Sequence, residues 1–226
     1  MRRIPHRLLV PLVAVAAVSI TLVGCDKPAP AQSTPPSSAH TDEPGPTTTV
    51  DAAGAVSTAE LTRLCQAEFG QDSNGSTLIT HDAWGPTTVA ACGPTQGSTS
   101  PVETVGVLAV DHRSNVKWSQ AYQGTYYELT MADPGTDASG NVFVMYNPGR
   151  YDGVIILRPT RTGIDLLVGP QPGEGSSSLD FYGVEMHLVS GLYEITVRHD
   201  DCIPDCATSE SYPETFTWNG TTYVSK

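Results

Sequence analysis

Positive charge is scarce in this chain. Twelve Lys and Arg stand against 24 Asp and Glu in 226 residues, a formal charge of −12, and all charged residues together are 16% of the total. No Lys/Arg cluster exists that could neutralise a run of phosphates, which excludes a nucleic-acid partner. Long apolar runs are equally few. One stretch near the N-terminus is long enough to consider, so a transmembrane bundle is excluded. The usual catalytic signatures are missing too. There is no Gly-x-Ser-x-Gly elbow, no phosphate loop, and no His-Glu-x-x-His or His-x-Glu zinc motif.

What is present begins with an address. Arg2, Arg3 and Arg7 precede an apolar run from Leu8 to Val23, broken by Pro11, Ser19 and Thr21. A charged segment followed by a short apolar one is the layout of a secretory signal. The run is short for a span of about 20 residues, and no basic stop-transfer cluster follows it. It ends in Leu22-Val23-Gly24-Cys25, which resembles the lipobox of bacterial lipoproteins. The resemblance implies cleavage after Gly24, a diacylglycerol thioether on Cys25, and further acylation by a palmitate-type chain. Residues 1–24 then form the signal peptide, and the expected location is the cell envelope, on the outer face of the cytoplasmic membrane. Three Arg leave with the signal. The mature chain keeps nine basic against 24 acidic residues, a net charge of −15. Such a body is weakly repelled by an anionic membrane, so lipid must do the anchoring, and its charge favours a soluble monomer.

Residues 25–54 are rich in Pro, Ser and Thr and almost devoid of large apolar side chains, so they cannot bury enough surface to fold. They read as a disordered, PPII-biased tether. The folded body is expected over residues 55–226, enough for one sizeable core. It opens with an amphipathic helix. Ser57 and Glu60 form a Ser-x-x-Glu capping pair, Leu61, Leu64, Cys65 and Phe69 follow at helical spacing, and Gly70 suits the left-handed exit.

The remainder reads as short β-branched or aromatic strands separated by Gly, Pro, Asn and Ser. These are Val102–Val110, Thr125–Met131, Asn141–Tyr146, Gly153–Arg158, Ile164–Val168, Val184–Val189, Leu192–Arg198, Thr215–Trp218 and Thr221–Val224. Pro134, Pro148, Pro159, Pro170 and Pro172 fall between these runs. Ser190-Gly191 and Asn219-Gly220 mark hairpins, the second as a type I′ turn. The expected fold is a mainly β, compact antiparallel domain, sandwich- or sheet-like, with one N-terminal amphipathic helix. Asp111–Val116 and Asp137–Val142 share Asp-x-x-x-Asn-Val. Residues 137–157 resemble the strand-turn-strand core of a β-propeller blade, yet no further copies follow, so a shared tight turn accounts for the echo more economically.

With Cys25 assigned to lipid, Cys65, Cys92, Cys202 and Cys206 remain. In an oxidising envelope four cysteines imply two disulfides among three pairings. Cys202 and Cys206 bracket a turn-like Ile-Pro-Asp; Cys65 lies on the apolar face of the helix and Cys92 ends the apolar run Val89-Ala90-Ala91, so Cys65–Cys92 would clip the helix to that first strand. The spacing does not match a zinc ribbon or finger.

Candidate chemistry is sparse. Ser114 and Lys117 have Ser-x-x-Lys spacing, but their surroundings read as strand and no Lys-Thr-Gly follows, so the match is chance. Asp133 to Asp137 lacks the closing Glu of a calcium loop and reads as a turn. His199, Asp200, Asp201 and Asp205 are the densest set of ligand types, read as a solvated acidic loop in preference to a cation site, so neither metal nor cofactor is expected. Trp118, Tyr122, Tyr126, Tyr127, Phe143, Tyr146 and Tyr151 concentrate seven of the sixteen aromatics. Trp118, Tyr122, Tyr126, Tyr127, Tyr146 and Tyr151 are the candidate contact surface for a sugar face or a protein partner. Adjacent strand residues face opposite ways, so one of Tyr126 and Tyr127 is expected in the core and the other outside.

The order Tyr193-Glu-Ile-Thr-Val197, Asp200-Asp201, Cys202, Cys206 and Phe216-x-Trp218-x-Gly220 resembles one group of actinobacterial lipoproteins, the LppP/LprE type. The resemblance covers the C-terminal 35 to 45 residues and implies an envelope location and no particular activity. The expected role is binding or accessory work in the envelope, directed at a glycan or a protein. The alternative is an envelope enzyme, a glycan-directed hydrolase working through paired carboxylates.

Overall fold

The computed structural model describes residues 54–149, 151–170, 180–181, 183–200 and 211–226. The signal, Cys25, the tether up to Ala53, Asp201, Cys202, Asp205 and Cys206 lie outside the described residues.

The helix forms where its caps place it. α1 spans Thr58–Phe69; Ser57 is extended and its Oγ accepts the Glu60 N–H, while Gly70 takes φ 70° at the exit. Glu60 turns its carboxylate to Arg63 at 2.7 Å. Leu61, Leu64 and Cys65 are buried. Cys65 bonds Cys92, which joins the helix to the sheet beneath it.

Thirteen strands follow among the described residues. They are β1 (Ser73–His81), β2 (Gly85–Cys92), β3 (Val102–Asp111), β4 (Val116–Tyr126), β5 (Glu128–Thr136), β6 (Val142–Asn147) and β7 (Asp152–Pro159). After them come β8 (Ile164–Val168), β9 (Asp180–Phe181), β10 (Val184–Val189), β11 (Leu192–Asp200), β12 (Ser211–Trp218) and β13 (Tyr223–Ser225). They form three sheets, each an antiparallel meander: β1-β2-β3-β4, then β5-β6-β7-β8 with β9 on β7, then β10-β11-β12-β13. The domain is therefore mainly β and antiparallel with one helix, as its alternation predicts. The repeated unit is the four-stranded meander that propellers use as a blade, here present three times among the described residues.

The sheets stack through their alternating residues. In β2, Val89 and Ala91 face the second sheet, while Ala90 and Cys92 face α1. In β6 and β7, Val142, Val144, Ile155 and Leu157 join the first interface, and Phe143, Val154 and Ile156 join the second. A strand buried on both faces is apolar at every position, which explains the unbroken runs VFVM and VIIL. Tyr193, Ile195 and Val197 on β11 complete the second interface. The opposite face of the third sheet is polar: Arg198 pairs with Glu185 at 2.8 Å, Lys226 with Glu194 at 2.9 Å, and Thr196 meets Thr215 at 3.1 Å. The stack thus has a helix over its first sheet and a charged face on its last, the polar termination that stacked repeats need.

Polar cross-links hold neighbouring sheets in place. Asn74 donates to the carbonyls of Pro94 and Leu129. His81, buried and stacked on Trp84 at 3.7 Å, accepts the Ala83 N–H at Nδ1, so its Nε2 proton goes to the Gly163 carbonyl. Tyr193 donates to the Pro134 carbonyl at 2.6 Å.

Four local expectations need correction. The run Thr125–Met131 is broken at Tyr127, where β4 ends and β5 begins. Pro134 lies inside β5, where pairing slips between Met131 and Thr136; the bulge leaves its missing N–H without a ladder partner to fail. Pro159 lies inside β7, as its last residue, where it pairs with Ile164 at the edge of the β7–β8 turn. The loop after Trp218 has four residues rather than two, since Trp218 pairs with Tyr223. The Asp-x-x-x-Asn echo is a shared turn. Asp111 and Asp137 each close it with their backbone N–H on the Asn115 or Asn141 carbonyl, and each Oδ1 accepts the N–H two residues on. The left-handed position is Ser114 in one and Gly140 in the other.

Candidate functional site: a polar row at the end of the second sheet

Register places three polar residues side by side. Glu128 on β5 is opposite Asn147 on β6, and Tyr146 is opposite Gly153, which sets Asn147 opposite Asp152 on β7. Residues directly opposite share a face, so an acid, an amide and an acid form one row across three strands. Asn147 Nδ2 donates to Asp152 Oδ1 at 2.8 Å, and its Oδ1 accepts the Gly149 N–H at 2.6 Å. Both ends of the amide are therefore spent on shaping the β6–β7 loop. Glu128 is half-buried, and burial together with the neighbouring Asp152 charge pushes its carboxyl above the usual range.

Tyr127 stands at the junction of β4 and β5. Its N–H bonds the Asn147 carbonyl, and its ring lies over Gly149, where a Cβ would meet the ring carbons at 3.1 Å. Glycine at 149, with φ 115°, thus serves both the turn and the ring's approach. A cleft of about 640 Å³ opens here, lined by Ser98, Thr125, Tyr127, Glu128, Asn147 and Gly149 among others. A second cleft of about 360 Å³ shares Glu128 and Asn147 and adds Thr130, Asp133, Met145 and Asp152. Among the described residues no Lys or Arg lines either one. The arrangement offers several hydrogen-bond acceptors beside an aromatic face.

The expected aromatic surface divides. Tyr122, Tyr126 and Tyr146 are 1%, 3% and 2% exposed and belong to the core between the first two sheets, so they are corrected from contact residues to packing residues. They face inward because the sheet alternation gives their positions to the interface. Trp118 is half-buried against the same core. Tyr127 is half-buried at the cleft, and Tyr151 is exposed in the loop between β6 and β7. Tyr126 is buried and Tyr127 half-buried, but the expected strand alternation does not apply, because Tyr127 lies at the break between β4 and β5. Sequence reasoning missed Glu128, Asn147 and Asp152, because an acid–amide–acid row exists only in the register and has no linear spacing.

His199 lies elsewhere, on the third sheet. It meets Glu214 at 2.7 Å and stacks on Tyr212 at 5.0 Å; Tyr212 is 57% exposed. Hydrogen bonds from Ser225 and His199 hold the Glu214 carboxyl below its usual range. Among the described residues no group of three His, Cys, Asp or Glu is arranged to hold a metal, and no helix is long and apolar enough to cross a membrane. Ser114 occupies the β3–β4 turn, and Lys117 reaches back to Asp111 at 3.7 Å. Compared with known proteins, the chain matches no family model, no curated protein and no solved structure.

Proposed function

We propose that the chain is a lipid-anchored binding protein of the cell envelope, and that the cleft beside Tyr127 receives a hydroxyl-rich ligand, an envelope glycan. The observation that carries this reading is the row Glu128–Asn147–Asp152 next to the Tyr127 ring. Sugar hydroxyls donate well to carboxylates, and a pyranose face packs on an aromatic ring. The anchor rests on Leu22–Cys25, with the tether lifting the acidic, monomeric body from the outer face of the cytoplasmic membrane. Tyr127→Ala tests the cleft. It leaves thermal stability nearly unchanged and weakens capture of solubilised envelope glycan at least about tenfold, or 1.4 kcal/mol. Unchanged capture sinks the cleft as the site. Metabolic labelling with a fatty-acid analogue tests the anchor: the label is lost in Cys25→Ser, and label retained there contradicts lipidation.

A second reading has its own observation. Burial and the neighbouring Asp152 charge push the Glu128 carboxyl above its usual range, as suits the proton-donating acid of a glycan hydrolase. Release of reducing ends from envelope glycan, abolished in Glu128→Gln, supports hydrolysis. Binding without release leaves the protein a binding module.

A further inference from the structure

The sequence contains two Asn-Gly pairs, Asn74-Gly75 and Asn219-Gly220, and the fold treats them differently. We propose that Asn219 is a site of spontaneous succinimide formation in the folded protein, and that Asn74 is protected from the same reaction.

The reaction is intramolecular. The Gly220 backbone nitrogen attacks Asn219 Cγ; the N–Cγ bond forms, the Cγ–Nδ2 bond breaks, and the proton from Gly220 leaves with Nδ2 as ammonia. Water then opens the ring at either carbonyl and yields aspartate or isoaspartate. The amide carbonyl collects negative charge during the attack, so donors already aimed at its oxygen favour the step.

Asn219 meets these requirements. It is exposed in the β12–β13 loop, and its Oδ1 accepts the N–H groups of both Thr221 and Thr222 at 2.9 Å. Gly220, at φ 99°, has nothing within 4 Å of where a Cβ would stand, so no neighbouring group crowds its Cα. Among the described residues no partner holds the departing Nδ2. Asn74 is the reverse case. Its Nδ2 donates to the carbonyls of Pro94 at 3.0 Å and Leu129 at 2.8 Å, which tie the leaving group to two segments. Gly75 is wedged so that a Cβ there would lie 2.9 Å from Met131. Turning the Asn74 amide toward Gly75 therefore breaks two hydrogen bonds that tie β1 to β5 and to the loop after β2.

The product matters to the fold. Isoaspartate adds a methylene to the main chain directly after β12, in the four-residue loop that leads to β13, the strand that brings Tyr223 to Asp137 at 3.3 Å. Each event also adds one negative charge to an already acidic body.

The test uses the full chain, incubated in mildly alkaline buffer, with peptide mapping and enzymatic isoaspartate labelling over time. A parallel sample in denaturant measures both pairs without the fold. The native protein accumulates acid and isoaspartate at Asn219 at least several-fold faster than at Asn74, while in denaturant the two converge. Equal native rates, a faster Asn74, or an Asn219 that stays amide while its denatured counterpart reacts would each overturn the proposal.

Discussion

Tyr223 and Asp137 meet in the buried space between the second and third sheets, with the phenol donating to Asp137 Oδ2 at 3.3 Å. Burial first, and then the Asp137 charge, push the Tyr223 phenol far above its ordinary pKa. Tyr122 is raised by burial and by the phenols of Tyr126 and Tyr146, and Tyr193 by burial and by Asp133 and Asp137.

These shifts fix an alkaline limit. A phenol whose folded pKa exceeds its unfolded value near 10 keeps its proton in the fold while the unfolded chain loses it. The unfolded state then binds fewer protons, so stability is complete below pH 10 and falls as pH rises beyond it. Denaturant unfolding measured as a function of pH shows a decline beginning near 10. Tyr223→Phe flattens part of that decline, and an unchanged slope contradicts the assignment.

Tyr122 separates ring from hydroxyl. Its hydroxyl is buried and makes no hydrogen bond among the described residues, whereas its ring fills the first interface. Tyr122→Phe is therefore neutral or slightly stabilising, while Tyr122→Ala costs about 3–5 kcal/mol. Denaturant midpoints decide it. A loss above about 1 kcal/mol for the Phe variant shows that the hydroxyl has a partner.

Glycine 153 sets how closely β7 approaches β6. A Cβ there runs into the Tyr146 ring, and strands buried on both faces leave that ring nowhere to go. Gly153→Ala lowers stability by about 1–3 kcal/mol, read from thermal or denaturant unfolding. Because Asp152 is the neighbouring residue, the same variant is expected to weaken the glycan capture proposed for the cleft.

The Cys65–Cys92 bond closes a loop of sequence separation 27 between α1 and β2. Replacing both cysteines by Ser costs about 3–4 kcal/mol in the chain-entropy account. Thermal unfolding of the double variant against the oxidised protein checks this, and a loss near zero shows that α1 docks through Leu61 and Leu64 alone.

The fold was more legible in the sequence than the site. Helix caps are local chemistry, so Ser57, Glu60 and Gly70 placed α1. Val184–Val189 and Ile164–Val168 were legible because each is a short run set between glycines, with Pro170 after the second. The β1–β2 hairpin was not, since Ser73–His81 alternates polar residues and gains its burial by packing on β5. Nor was the length of β4, whose exposed edge carries Gln, Ser and Lys. Pairing Cys65 with Cys92 followed from the helix face and the apolar strand, both local features. The Glu128–Asn147–Asp152 row belongs to tertiary register, which one sequence does not print.

The glycan-binding cleft proposed for this row and the Tyr127 ring can be tested in solution. Backbone-resolved NMR titration of the folded protein with solubilised envelope glycan tests it most directly. Saturable shifts centred on Tyr127, Glu128, Asn147 and Gly149, and suppressed in Tyr127→Ala, are the expected result. Shifts centred on His199 and Tyr212, or none at ligand excess, would contradict it.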